Sequence, residues 1–214
     1  MNLRSTSATA VHLRDRLKQS ARGEILAAAE RIFSRDGLAT ARMDAIAKEA
    51  GVAVGTLYNH FTDRDTLIKS LNEAHRAELL KRIDEEVGTA KPGREEIEAV
   101  VRTVLEHLEL HAPFQRILME SEQHGHTNIK SLMEELFDRT TVVVKKIIKR
   151  GDLRLDDAEH WPTLLFGMVR GVMIRRLKHG QVLDPATVAQ IVSRAFYDGA
   201  AAPSRRKESK RAHS

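Results

Sequence analysis

The sequence predicts an all-α protein: an N-terminal three-helix domain containing a helix-turn-helix, followed by a helical C-terminal domain, about nine helices in all. Three observations carry this. Apolar residues recur at three- and four-residue spacing along most of the chain. No segment alternates with the two-residue period of a strand. Only twelve Gly and five Pro occur in 214 residues, little for a turn-rich β fold.

The elements follow in order. Ile25, Ala28, Ala29, Ile32 and Phe33 lie on one face of a first helix over about 20–35, ended by Gly37. Met43, Ile46 and Ala47 continue the period in a short second helix that stops at Gly51, and a third runs from Val54 to His60. Thr62 is a candidate cap for a fourth helix to about Val87, with Asp65 placed to return the bond. Gly88 to Gly93 is a plausible hinge. Pro92 and Pro113 suit first turns, so helices are expected near 93–111 and 113–124. His124 to Asn128 breaks the pattern. A long helix over about 128–150 ends at Gly151, another spans about 157–179 with Pro162 in or near its start, and Asp184-Pro185 opens the last, to about Tyr197.

Charge is unevenly placed. The net +5 resolves into +3 on residues 1–20, +4 on residues 201–214 and −2 on the body between. The expected organisation is therefore a mobile basic arm (1–20), a helix-turn-helix domain (21–70), a second helical domain (71–200) and a disordered basic tail (201–214). There is no cysteine, which excludes disulfides and thiolate chemistry. No apolar stretch approaches the roughly 18 residues of a membrane span, and residues 1–20 lack the apolar segment of a secretory signal. A cytoplasmic protein without membrane partners is the expectation.

The short helix Val54–His60 carries the chemistry. Leu57 and Phe61 take its inward face, so Thr56, Tyr58, Asn59 and His60 point outward, where their donors can meet phosphates or base edges. Phe33, Ile46, Ala47, Val52, Leu57 and Phe61 are spaced to form the mini-core beneath. Ile46-Ala47, Ala50-Gly51-Val52, Gly55-Thr56-Leu57-Tyr58, His60-Phe61 and Leu67, following Phe33 and Gly37, resemble the signature of the tetracycline-repressor (TetR) family of bacterial transcriptional regulators over about residues 24–70. The resemblance implies a double-stranded DNA operator as partner, with Val54, Gly55, Thr56 and Asn59 on the base-reading face. It implies phosphate contacts from Tyr58, His60 and Arg64, and Arg42 joins the DNA-binding candidates. The chain departs from the family pattern at Ala41 and Ala53, where Ser or Thr usually caps the second and third helices. Residues 21–70 are also charge-neutral, which throws weight onto the arm for affinity.

Beyond Leu71 the resemblance implies effector binding and dimerisation. Gly167 and Gly171, four apart within a helix, add direct support, because mid-helix Gly costs about 0.8–1 kcal/mol against Ala and needs a reason such as close helix approach. With Val188, Ile191, Val192 and Ala195 they form the candidate homodimer interface; a tight monomer core is the alternative. Phe114, Leu118, Met119, Phe137, Trp161, Phe166 and Met173 are candidates for an apolar small-molecule pocket, against ordinary core. His107 and His111, at i and i+4 with Glu120, Glu122, His124 and His126 nearby, raise a metal-sensing alternative, but no metal-ligand motif fixes a geometry and no metal or cofactor is expected. Nucleophile elbows, phosphate-cradling Gly loops and metalloprotease motifs are missing, so an enzyme is not expected. The expected function is a ligand-responsive repressor released from a palindromic operator by a small-molecule effector, with a low-specificity DNA-coating protein as the rival.

Overall fold

The computed structural model of the chain describes residues 4–122, 129–153, 159–180 and 184–200. Among these it contains nine helices: α1 (Arg4–Asp36), α2 (Met43–Glu49), α3 (Val54–His60), α4 (Arg64–Thr89), α5 (Arg94–Leu110), α6 (Ala112–Glu122), α7 (Ile129–Arg150), α8 (Trp161–His179) and α9 (Pro185–Ala200). The all-α expectation holds, and α3 has the bounds read from the sequence. His124 and His126 and the basic tail lie outside the described residues, as do the side chains of Met119, Glu120 and Glu122. No helix among the described residues is long and apolar enough to cross a membrane.

Three local readings are corrected. Residues 4–20, expected as a mobile arm, are the first half of α1. No Gly occurs before Gly23 and no Pro before Pro92, so nothing in the arm breaks a helix even though it has no apolar stripe. Leu17 is 62% exposed, so at that position the extension does not pack. The cap of α4 is Asp63 rather than Thr62: its carboxylate accepts the Thr66 backbone N–H at 2.7 Å, and the Thr62 hydroxyl turns to Asp63 instead. That bond holds the Asp63 carboxyl below its ordinary value. Third, the N-cap of α2 is Arg42, while Ala41 is buried one residue earlier; Ala53 does cap α3, without a side-chain bond.

The chain forms two compact units. The first comprises Met1–Glu78 and His111–Ile129, the second Leu79–Leu110 and Lys130–Ser214. In the first, Ile25, Ile32 and Phe33 of α1 pack with Ile46 and Ala47 of α2, Leu57 of α3, Phe61, and Leu67 and Leu71 of α4. Val52 is only partly buried against this core. Phe114 and Leu118 of α6 complete it, both 0% exposed, and Phe114 stacks on Phe33 with ring centroids 6.3 Å apart. Truncating such an aromatic to Ala typically costs about 3–5 kcal/mol. Beside this core Glu30 is shared by two imidazoles, His75 and His111. Burial alone would raise its carboxyl, but the hydrogen bonds from His111 and His75 hold it at about 2, so it is ionised.

The second unit is built on α5, whose buried face (Ile97, Val100, Val101, Val104, Leu105) meets Val144 and Ile147 of α7, Leu165 and Val169 of α8 and Val192 and Phe196 of α9. Its entrance is tightly fastened. Gly93 sits at φ 97°, and its backbone N–H donates to Glu96 Oε2 at 2.9 Å. A Cβ there would lie 3.3 Å from the Tyr197 hydroxyl, so both the turn and the approach of α9 favour Gly. Glu96, buried, also pairs with Arg150 and Lys146 of α7, while Arg94 pairs with Asp198 and lies over the Tyr197 ring. The Arg94 contacts fix α9 against α5, and the Glu96 pairs fix α7 there.

Candidate nucleic-acid interface

The turn between α2 and α3 is closed by Gly51 at φ 67°, with the backbone N–H of Val52 bonded to the Ala47 carbonyl at 3.0 Å. Leu57 then enters the core at 0% exposed, and rotation by one residue puts Tyr58 (48%) and Val54 (43%) outside. Gly55 and Asn59 are exposed and Thr56 and His60 half-buried, so the outward face is the one expected. A Cβ at Gly55 would meet nothing within 4 Å, so its small size serves no internal contact. It leaves room for an outside partner.

The positive groups are arranged around this face. Lys18, Gln19 and Arg22 of α1 line one shallow depression with Asn59 and His60. The Arg22 guanidinium lies 4.6 Å over the Phe61 ring, which fixes its position. Burial lowers the pKa of His60, and the nearby charges of Lys18 and Arg22 lower it further, so its ring is neutral at pH 7. Sequence reasoning placed Lys18 in a flexible arm and gave Arg22 no role. The signal available was their spacing, four apart on what is now a continuous helix.

Two expected DNA contacts are otherwise engaged. Arg64 Nη1 donates to the Ala39 carbonyl at 2.8 Å, tying the start of α4 to the loop before α2. Arg42 forms a two-pronged pair with Asp44, both bonds at 3.0 Å, in an exposed position.

The other candidate residues separate. Phe114 and Leu118 belong to the core of the first unit, whereas Phe137, Trp161, Phe166 and Met173 belong to the second. The seven therefore do not form one cluster in one unit, because the chain turns at His111 and sends α6 into the first core. In the second unit Phe137 meets Phe166 edge-on at 5.6 Å and Trp161 meets Phe196 likewise at 5.9 Å. His111 is bonded to Glu30 within the first unit.

On α8, Leu164 (50%), Gly167, Gly171 and Ile174 (36%) form one exposed apolar stripe, continued on α9 by Ile191 (51%) and Ala195. Val188 is half-buried. Val192 does not belong to the stripe: at 5% exposed it faces the core, one residue round the helix from Ile191.

The profile of the bacterial regulatory proteins, tetR family, matches residues 25–71, spanning the core of α1, the α2–α3 pair and the start of α4. The chain belongs to that family. It is thus a DNA-binding transcriptional regulator of the TetR family, a family of regulators rather than enzymes. It is 26% identical over 195 residues to the transcriptional repressor KstR2 of Rhodococcus jostii, covering 87% of this chain and 94% of that one. It is 26% identical over 129 residues to the transcriptional activator FasR of Mycolicibacterium smegmatis, covering 60% of this chain and 59% of FasR. The fold matches that of the regulator FadR from Bacillus subtilis, solved in complex with stearoyl-CoA, with a TM-score of 0.68, 19% identity and coverage of 82% and 97%.

Proposed function

We propose that this TetR-family regulator is a ligand-responsive repressor, acting in the cytoplasm, that binds a palindromic operator as a homodimer and releases it when a small molecule occupies the second helical unit. The observation that carries the proposal is the outward face of α3, with Asn59, Thr56 and Val54 free to meet base edges and Lys18 and Arg22 beside it to meet phosphates. Asn suits adenine, and the methyls of Val54 and Thr56 suit thymine. Two such helices read a palindrome only if two chains associate, and the exposed stripe of α8 and α9 is the surface suited to a two-fold contact. The region of residues 21–70 supplies DNA binding, and residues 71–200 supply dimerisation and effector binding. The aromatic and Met-lined interior of the second unit suits an effector with an apolar body, in keeping with the stearoyl-CoA bound by FadR.

Selection of bound duplexes from a random pool, followed by competition against bulk DNA, tests this. A repressor yields a two-fold symmetric consensus and prefers it by about 10³ or more at physiological salt. Uniform affinity for all duplexes would identify a DNA-coating protein instead.

A further inference from the structure

Three side chains far apart in the sequence converge inside the first unit, away from the outward face of α3. Glu30 comes from α1, His75 from α4, and His111 from the turn that opens α6. Glu30 Oε2 lies 3.1 Å from His75 Nε2, and Glu30 Oε1 lies 2.6 Å from His111 Nδ1. The two imidazoles are 4.0 Å apart between centroids and tilted by 33°. Each of the three residues offers one ligand atom, and those atoms all lie within 4.8 Å of one another. Their side chains are 22%, 7% and 10% exposed respectively, which leaves the carboxylate as the edge open to solvent.

We propose that Glu30, His75 and His111 form a binding site for a divalent transition-metal ion, with zinc the best match. Two imidazole nitrogens and one carboxylate oxygen are a donor set that zinc takes with a water in the fourth position. Calcium and magnesium prefer all-oxygen shells, so the two nitrogens select against them. Around a tetrahedral zinc, ligand atoms bound at about 2.0–2.1 Å stand about 3.3 Å apart. The two nitrogens now meet different oxygens of Glu30, Oε2 at 3.1 Å and Oε1 at 2.6 Å, so the carboxylate must turn to present a single oxygen to the ion and draw back from both imidazoles. The ion then replaces the protons that now bridge oxygen and nitrogen. The wall of the site is apolar: Phe114, fully buried, presents its ring edge-on to His75 at 5.5 Å. Such a shell keeps competing water out. Because the donors come from α1, α4 and the α6 turn, the bound ion would tie together three elements of the DNA-binding unit. The site itself is independent of the operator and effector reading, since metal binding is read without DNA.

The test uses the untagged full-length chain, stripped with a chelator and titrated with zinc against a chromophoric competitor. One zinc per chain is expected, with a rise in melting temperature on loading. Glu30→Gln and His75→Gln should each weaken zinc binding by about 100-fold or more, beyond the range typical of outer-shell partners. A His124→Gln/His126→Gln double variant should bind as tightly as the parent. Cobalt loading should give the intense visible bands of a four- or five-coordinate site. Two results would each overturn the proposal: full zinc affinity in Glu30→Gln, or loss of binding in the His124/His126 variant. Should the site variants fail to fold, the parent protein still decides, because less than one zinc per chain or a pale six-coordinate cobalt spectrum refutes the site.

Discussion

Replacing Gly167 and Gly171 together by Leu separates what the fold of one chain requires from what a dimer requires. Both glycines lie mid-helix in α8 on the exposed stripe, and a Cβ at either meets nothing within 4 Å. Within one chain the first carbon of a side chain is therefore accommodated at both positions. The substitutions relieve a helix penalty of up to about 0.8–1 kcal/mol at each position. In a two-fold contact built around that stripe both chains carry both substitutions, so four added side chains at about 1–3 kcal/mol each overfill the interface by about 4–12 kcal/mol. At about 1.4 kcal/mol per tenfold, the dimer dissociation constant should rise by roughly 10³-fold or more. Sedimentation over a dilution series to nanomolar concentration measures this, and operator binding should fall in parallel while helix content is kept. A variant that stays dimeric at the same concentrations as the parent would refute the placement of the interface. Loss of helix content would refute the claim that the stripe is open in the single chain.

The remaining predictions concern the first unit and the entrance to the second. Ala53→Ser should supply the side-chain cap that α3 lacks and raise stability by about 0.5–2 kcal/mol, seen as a higher urea midpoint at unchanged slope. Asn59→Ala should cost about 1–3 kcal/mol on the selected operator and relax preference at particular base pairs, whereas Tyr58→Phe should weaken all duplexes evenly; identical specificity ratios would remove Asn59 from sequence reading. Lys18→Gln should make the slope of log K against log salt shallower by about 0.9 for each chain on the operator, and an unchanged slope would mean that Lys18 meets no phosphate. Burial works to raise the Glu96 carboxyl, but bonds from Arg150, the Gly93 N–H and Lys146 hold it below 4.5. The unfolded chain therefore binds the proton more readily, and the stability from Glu96 is present above pH 4.5 and lost as pH falls through the lowered folded value. Acid unfolding of Glu96→Gln should show a smaller loss across that window, and a parent-like profile would remove Glu96 from the acid response.

Much of this was legible in the sequence because helix periodicity and turn glycines are local signals. α3 could be bounded to the residue because the turn at Gly51 precedes it and the helix start at Thr62 and Asp63 follows it, and the structure accordingly has extended backbone at Ala53 and Phe61. The beginning of α1 was not legible, since residues 4–19 form a helix without an apolar face and periodicity detects only faces. Thr62 and Asp63 are both good caps and adjacent, so sequence could not choose between them. The allocation of Phe114 and Leu118 to the first core failed for another reason: an amphipathic pattern tells that a helix buries a face, not which core receives it. Glu30, His75 and His111 were missed as a group because separations of 45 and 81 residues carry no spacing rule. The one hint was polar residues set on otherwise buried faces.

The return of α6 to the first unit has a consequence for synthesis and for dissection of the protein. Phe114 fills the space against Phe33, yet it is made 81 residues later, after the whole of α5. A ribosome that has just released Glu78 has delivered every helix of the DNA-reading surface but not the plug that closes its core. The nascent three-helix segment must wait, partly open, until α6 emerges. A fragment cut at Glu78 would be left in that condition, with Phe33 lacking the ring of Phe114 that stacks on it. Domain exchange between such regulators should accordingly move two pieces of chain together, residues up to 78 and the α6 segment, rather than the N-terminal stretch alone.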